Sequence, residues 1–201
     1  RICIDNNILI ISDEIHQDML YPGIVHTPFA SISEEFALNS ITCTAPSKTF
    51  NLAGLQTSTI VIPNKTHYDV FKNIMTRLRL LRNNPFGLVA LEAAYTHGEE
   101  WLDQFLKYMN GNMKILTEGI EKHIPQIKII KPEGTYLVWM DCRELGLDTK
   151  QLGDFMINKA RLALDDGYWF GIGGEGFQRI NLACPRTYIN EALTRLKKAV
   201  S

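Results

Sequence analysis

Long apolar runs are missing from this chain. No stretch approaches the roughly 20 residues that a membrane-spanning helix needs, and no basic start followed by an apolar segment marks a signal peptide. Charge of one sign is missing too. Lysine and arginine total 21 against 22 acidic residues, a net charge of −1, so neither nucleic acid nor an anionic membrane is expected as a partner. The basic cluster Lys65, Lys72, Arg77, Arg79 and Arg82 is local, and a solvated helix face accounts for it more simply. Cysteine is sparse. Cys3, Cys43, Cys142 and Cys184 have no C-x-x-C spacing, which argues against a zinc site or a disulfide framework and suggests small buried hydrophobes. That usage suits a reducing cytoplasm. Repeats and low-complexity tracts are absent as well.

What is present is ordinary for a globular protein. The chain has 201 residues, 45% hydrophobic and 21% charged, enough for one large domain or two small ones. The apolar run 8–11 reads as a strand buried on both faces, 41–44 as a second strand, and 57–62, ending at Pro63, as a third. Polar or helical connectors between them give the alternation of an α/β sheet. Tyr68, Phe71, Ile74, Leu78 and Leu81 step at helical spacing over 66–81, and Asn83-Asn84-Pro85 should stop that helix. A further helix is expected over 86–95. A longer one over 99–123 carries an apolar stripe (Leu102, Phe105, Met109, Met113, Leu116, Ile120) and should connect two domains.

Beyond it the order changes. Residues 127–130 and 136–140 read as strands flanking a Pro132-Glu133-Gly134 turn, followed by a helix over 149–162, a strand over 178–183 and a helix over 187–200. Thr187 could cap the last helix, and Lys197 and Lys198 suit its negative end. Strand, strand, helix, strand, helix is a small α+β domain. The expected division is therefore 1–95 and 96–201. Arg1 is not an initiator methionine and a core-type strand begins within ten residues, so a piece of a longer chain, its upstream half missing, is expected.

Two residues at strand ends could carry chemistry. The run Ile8-Leu9-Ile10-Ile11 delivers Asp13, and the run Ile41–Thr44 is followed by Ser47-Lys48, with Gly54 closing the next turn. A shielded acid and a loop lysine are what a pyridine-aldehyde cofactor needs. The amine forms a Schiff base, favoured where burial or nearby positive charge eases loss of its proton. The acid keeps the ring nitrogen protonated, making the ring an electron sink. A carboxylate at the end of an apolar run is costly to bury without such a partner. Alone, each has a plainer reading: Lys48 as a surface lysine, Asp13 as a helix N-cap or surface acid.

Taken together, three segments are more specific. Ser12-Asp13-Glu14-Ile15-His16, Pro46-Ser47-Lys48-Thr49-Phe50-Asn51-Leu52-Ala53-Gly54-Leu55 and Arg179-Ile180-Asn181-Leu182-Ala183-Cys184-Pro185-Arg186 occur in the order found in the fold-type-I pyridoxal-phosphate enzymes. The chain resembles the cystathionine β-lyase branch of that aminotransferase superfamily, over essentially its whole length but only the C-terminal half of a complete member. The resemblance implies an α/β fold, part of a large domain with a mainly parallel sheet, plus the small α+β domain. It implies pyridoxal 5′-phosphate as cofactor, a small amino acid as substrate and a homodimer.

The resemblance also assigns roles. Lys48 would bond the cofactor and, once freed by substrate, act as general base at Cα. Asp13 would pair with the pyridine nitrogen, and His16 would hydrogen-bond the ring's 3-oxygen. Without the motif, His16 would be a structural histidine. Arg179 would clamp the substrate carboxylate, a task its planar fork suits; without the motif it would be a surface strand arginine. Arg186, at the start of the last helix, is a poorer clamp. The run Gly171-Ile172-Gly173-Gly174-Glu175-Gly176 lacks the strand-before, helix-after context of a phosphate loop and reads as a turn feeding the Arg179 strand. Asn84-Pro85-Phe86-Gly87 reads as a helix stop, near where the wider family approaches the partner subunit's site.

Two positions depart from related aminotransferases, which often place a hydroxyl and an arginine on the cofactor phosphate where this chain has Ala45 and Gln56. Part of the phosphate grip, and the aromatic that stacks on the ring, would lie upstream of Arg1. The expected activity of the parent is a carbon–sulfur β-lyase releasing a thiol, pyruvate and ammonia. An aminotransferase is the alternative, and a stable non-catalytic fragment is a third possibility for the chain alone.

Overall fold

The computed structural model describes residues 1–200. The chain separates into two compact units, Arg1–Gln104 and Phe105–Ser201, and each is described by itself. The division falls within the helix Glu99–His123.

The first unit contains helix α1 (Ile2–Asp5), strand β1 (Ile10–Asp13), α2 (Glu34–Leu38), β2 (Ser40–Thr44), α3 (Pro46–Thr49), β3 (Thr59–Val61), α4 (Lys65–Arg77) and α5 (Pro85–His97). The helix α6 (Glu99–His123) begins there. The sheet order is β1-β2-β3. β1 and β2 pair in parallel, from Ile10 opposite Ser40 to Asp13 opposite Cys43, and β2 and β3 pair antiparallel. The sheet is therefore mixed, a parallel pair with β3 added antiparallel. β1 lies later than the apolar run 8–11 suggested, and it alternates rather than being buried on both faces. Ile11 is 68% exposed.

Helix ends follow local chemistry. α4 stops at Arg77, before the Asn83-Asn84-Pro85 signal. Arg79 turns left-handed (φ 57°), and the amides of Arg79 and Leu80 return to the carbonyls of Thr76 (3.1 Å) and Met75 (2.9 Å), a Schellman closure. Asn84-Pro85 is a helix start, not a stop. Asn84 Oδ1 accepts the Phe86 amide at 3.1 Å, and Pro85 occupies the first helical position, where its missing N–H is no loss. Gly87 belongs to that helix: a Cβ there would fall 1.8 Å from Thr57 Oγ1.

The second unit holds most of α6, then β4 (Lys128–Ile130), β5 (Leu137–Asp141), α7 (Thr149–Asp154), β6 (Asp165–Asp166), β7 (Phe177–Asn181) and α8 (Arg186–Val200). Its sheet is antiparallel throughout, ordered β4-β5-β7-β6. α7 opens with a reciprocal capping box between Asp148 and Gln151. The helix expected over 149–162 instead passes into a π-helical turn, Phe155–Lys159, and Arg161 at φ 55° ends it. β6, two residues long, had no counterpart in the sequence pattern. α8 starts at Arg186, so Thr187 lies inside its first turn rather than capping it.

The two units differ in what they bury. In the second, Met109, Met113, Leu116 and Ile120 of α6 are buried, as are Val138 and Met140 of β5, Ile180 of β7, and Ile189 and Leu196 of α8. Buried Asn112 ties that core to the β7–α8 connection, donating to the carbonyls of Leu182 and Cys184 at 3.0 Å each. In the first unit the buried apolar residues include Met19, Tyr21, Ala45 and Pro46, while Phe86 (77%), Val89 and Ile11 are exposed. Of the cysteines only Cys142 is buried, and all are free; Cys3, Cys43 and Cys184 are half-exposed, against the expectation of buried hydrophobes. Leu116→Ala should therefore lower the unfolding free energy by about 2–5 kcal/mol. Ile11→Ala should change it by less than about 0.5 kcal/mol. Urea unfolding of both variants checks the contrast.

Candidate functional site

Parallel pairing brings the C-terminal ends of β1 and β2 to one sheet edge. Asp13 is the last residue of β1, opposite Cys43, and the Glu14 amide prolongs the ladder to the Cys43 carbonyl at 2.9 Å. β2 ends at Thr44; Ala45 leads into α3, whose first residue is Pro46 and which carries Lys48. Asp13 and Lys48 are thus delivered to the same edge by adjacent strands. Both side chains are exposed, so Asp13 is not the shielded acid that the apolar run before it suggested. Its Oδ1 accepts the Ile15 amide at 3.3 Å, which bends the chain into the turn containing half-buried His16.

The buried acid is the neighbouring residue. Glu14 is 6% exposed. Its Oε1 accepts from Ser12 Oγ (2.8 Å) and the Phe29 amide (2.9 Å), and Oε2 lies 2.9 Å from His26 Nε2. Burial by itself would push this carboxyl up; the hydrogen bonds from His26, Phe29 and Ser12, with the His26 charge, outweigh it and hold the carboxyl below its ordinary value. Asp18 makes a second tie, between the turn and the helix bearing Lys48: Thr49 Oγ1 donates to its Oδ2 at 2.8 Å, and Tyr95 of α5 donates to the same oxygen at 3.4 Å. Burial first, then the Asp18 charge, push the Tyr95 hydroxyl up. Gln17 Nε2 donates to Thr44 Oγ1 at 3.0 Å. Glu14, Asp18, His26, Thr49 and Tyr95 all escaped the sequence analysis. The adjacent acids Asp13-Glu14 were the available signal, since a strand end alternating in and out puts only one of them inside.

The turn after Lys48 is closed differently from expectation. Gly54 lies in a 3-10 turn, Ala53–Leu55, with no positive φ; the left-handed residues are Asn51 (56°) and Gln56 (51°).

Arg179 lies in the second unit, on β7, between Trp139 of β5 and Asp165 of β6 in cross-strand register. Its Nε and Nη2 donate to Asp165 Oδ2 at 3.0 and 2.7 Å, and its guanidinium lies 4.3 Å from the centre of the Phe170 ring. Phe170 in turn meets Trp139 edge-on, centroids 5.3 Å apart. Arg186 is committed elsewhere. Its Nε donates to Asn112 Oδ1 at 3.1 Å and its guanidinium covers the Tyr108 ring at 4.5 Å. The glycine run is a turn feeding β7, with Gly171, Gly173 and Gly176 at positive φ and Gly174 so close to the Gly167 carbonyl that a Cβ would sit 2.0 Å from its oxygen. Among the described residues no group of His, Cys, Asp and Glu could hold a metal ion, and no helix is long and apolar enough to cross a membrane.

The donor set of the first unit fits a pyridine-aldehyde cofactor. A carboxylate and a primary amine, both accessible, stand at one sheet edge, the place where open α/β sheets bind ligands. A phosphate would gain neither a hydroxyl at Ala45 nor a guanidinium at Gln56.

The sequence pattern of the aminotransferase class I and II family matches residues 1–196, and the chain belongs to that family. It is 40% identical over 201 residues to cystathionine beta-lyase PatB of Bacillus subtilis, covering 100% of this chain and 52% of PatB. With protein MalY of Escherichia coli it shares 30% identity, covering 99% of this chain and 50% of MalY. Among solved structures, cystalysin of Treponema denticola, which contains pyridoxal 5′-phosphate, superposes with a TM-score of 0.92 at 42% identity, covering 99% of this chain and 50% of that one. The chain spans about half the length of the curated relatives it matches.

A group whose folded-state pKa is depressed contributes stability above its ordinary value and loses it as pH falls through the lowered one. Glu14→Gln should therefore be destabilising at pH 7. The gap to the native chain should close as pH drops below the ordinary glutamate value. Urea unfolding over a pH series reads both effects.

Proposed function

We propose that the whole protein is a pyridoxal-phosphate-dependent carbon–sulfur β-lyase of the cystathionine β-lyase type, acting on cystathionine or a related cysteine thioether. The delivery of Asp13 and Lys48 to one sheet edge by the parallel pair β1–β2 supports the cofactor part of this reading, and the likeness to PatB carries the lyase part. The cofactor, when bound, supplies an electron sink for the charge left at Cα. Lys48 would hold it through its amine and, when that amine is free, would take the Cα proton. Asp13 would keep the ring nitrogen protonated, and His16 would serve as the hydrogen-bond partner of the ring's 3-oxygen. Arg179 pairs with the substrate carboxylate. A thiol then leaves Cβ, and water completes the products pyruvate and ammonia.

In this reading residues 1–95 are the C-terminal portion of the cofactor-binding domain and 96–201 its smaller companion. The protein is a cytoplasmic homodimer. An aminotransferase, which the family's description favours, would share every step up to loss of the Cα proton. The exposed apolar residues of the first unit, Phe86 and Val89 among them, support a further reading: the 201-residue chain alone holds the cofactor weakly.

Purified full-length protein given cystathionine should release pyruvate with no 2-oxo acid present; strict dependence on a 2-oxo acid would make it a transaminase instead. Lys48→Ala should abolish both turnover and the cofactor's visible absorbance band. The chain alone, mixed with pyridoxal phosphate, should show little of that band, and a strong one removed by Lys48→Ala would contradict weak binding.

A further inference from the structure

Arg179 is held on two sides within the second unit, along one edge and across one face, and the manner of holding says what the holder does. Asp165 offers a single oxygen to the Nε–Nη2 edge of the guanidinium, at 3.0 and 2.7 Å. Phe170 lies under the guanidinium at 4.3 Å, and Trp139 braces Phe170 edge-on. An arginine side chain has high rotamer freedom, and a planar cation stacked on a ring can still rotate in that plane. The Asp165 contact removes the rotation. It takes the side edge of the fork and does not use the Nη1–Nη2 edge, the pair of donors that grips a carboxylate by two parallel bonds. Arg179 and Asp165 are half-buried, with side chains 26% and 43% exposed, so the Asp165 charge is screened by water and opposes an incoming carboxylate only weakly.

We propose that Asp165 is a positioning residue that pre-orients Arg179 so that its Nη1–Nη2 edge receives the substrate carboxylate. Phe170 acts with it by fixing the plane. The inference rests on the assignment of Arg179 as the carboxylate clamp, and it makes Asp165 a partner of that clamp rather than a counter-ion which substrate must displace. Without Asp165 the guanidinium must be frozen when substrate binds. The expected loss is about threefold to tenfold in affinity, the scale of immobilising one rotamer-rich side chain.

The test uses full-length holoenzyme and two probes. 2-Aminoisobutyrate has no Cα proton to lose, and isopropylamine is the same amine with hydrogen in place of the carboxylate. Binding of each is followed by the cofactor absorbance and by calorimetry. Asp165→Ala should weaken 2-aminoisobutyrate about threefold to tenfold and leave isopropylamine unchanged. Asp165→Asn, which keeps an acceptor oxygen, should recover part of the loss and covers the case in which the alanine variant does not fold. With cystathionine, KM should rise while kcat stays within about twofold. Unchanged or tighter 2-aminoisobutyrate binding in Asp165→Ala would overturn the proposal, since that is the behaviour of a bystander or a competing counter-ion. Equal weakening of both probes would also overturn it, as a general disturbance of the site. Arg179→Ala separates the two levels: if it leaves 2-aminoisobutyrate binding intact, the clamp assignment itself fails.

Discussion

The parallel pairing of β1 with β2 is the constraint on which the site depends. Parallel neighbours cannot be joined by a tight turn, so the chain must leave the sheet after Asp13, cross over and return at Ser40. That crossover occupies 14–39. Its anchor is the Glu14 carboxylate, which accepts the Phe29 amide and Ser12 hydroxyl and meets His26. Two strands running the same way must end at the same edge. An acid at the end of one and a lysine just past the end of the other are brought to that edge, whatever their separation in sequence.

Polar order and apolar order are distributed unevenly. The second unit is built as a conventional core, with α6 and α8 contributing Leu116, Ile120, Ile189 and Leu196 to the interior alongside Val138 and Ile180 of the sheet. In the first unit polar residues hold a large share of the interior, with Glu14, Ser40, Thr42, Thr49 and Thr57 buried beside Met19, Tyr21, Ala45 and Pro46. Networks of that kind specify geometry more than they add stability, because a partner lost from a buried carboxylate leaves an uncompensated charge. The loop around the candidate cofactor site is therefore held by hydrogen bonds whose directions are fixed. Such holding suits a site that must present two reactive groups in a set orientation.

How much was legible varied with the physics of each element. The bounds of α6, 99–123, were readable from its stripe because a long helix repeats its signal many times. β1 was misplaced because a short apolar run has no internal period to set its limits. β6 has only two residues and carries no pattern at all. Asn84-Pro85 was read as a stop although Asn and Pro are as much a helix start, and only the following residues decide between them. Among the candidate residues, Asp13, His16, Lys48 and Arg179 stood out through motif and order. Glu14, Asp18 and Asp165 did not, since an acid in sequence shows neither its burial nor its partner.

Family membership, the residue types at the strand ends and most of the helices were determined by the sequence alone, because motif order and 3.6-residue periodicity are properties of the chain itself. Which of two adjacent acids is buried, that the first sheet is mixed, and that Arg179 lies stacked on Phe170 with one edge on Asp165 were decided only by tertiary structure. Each of those depends on residues far apart in the chain meeting across strands, and local pattern holds no record of such meetings.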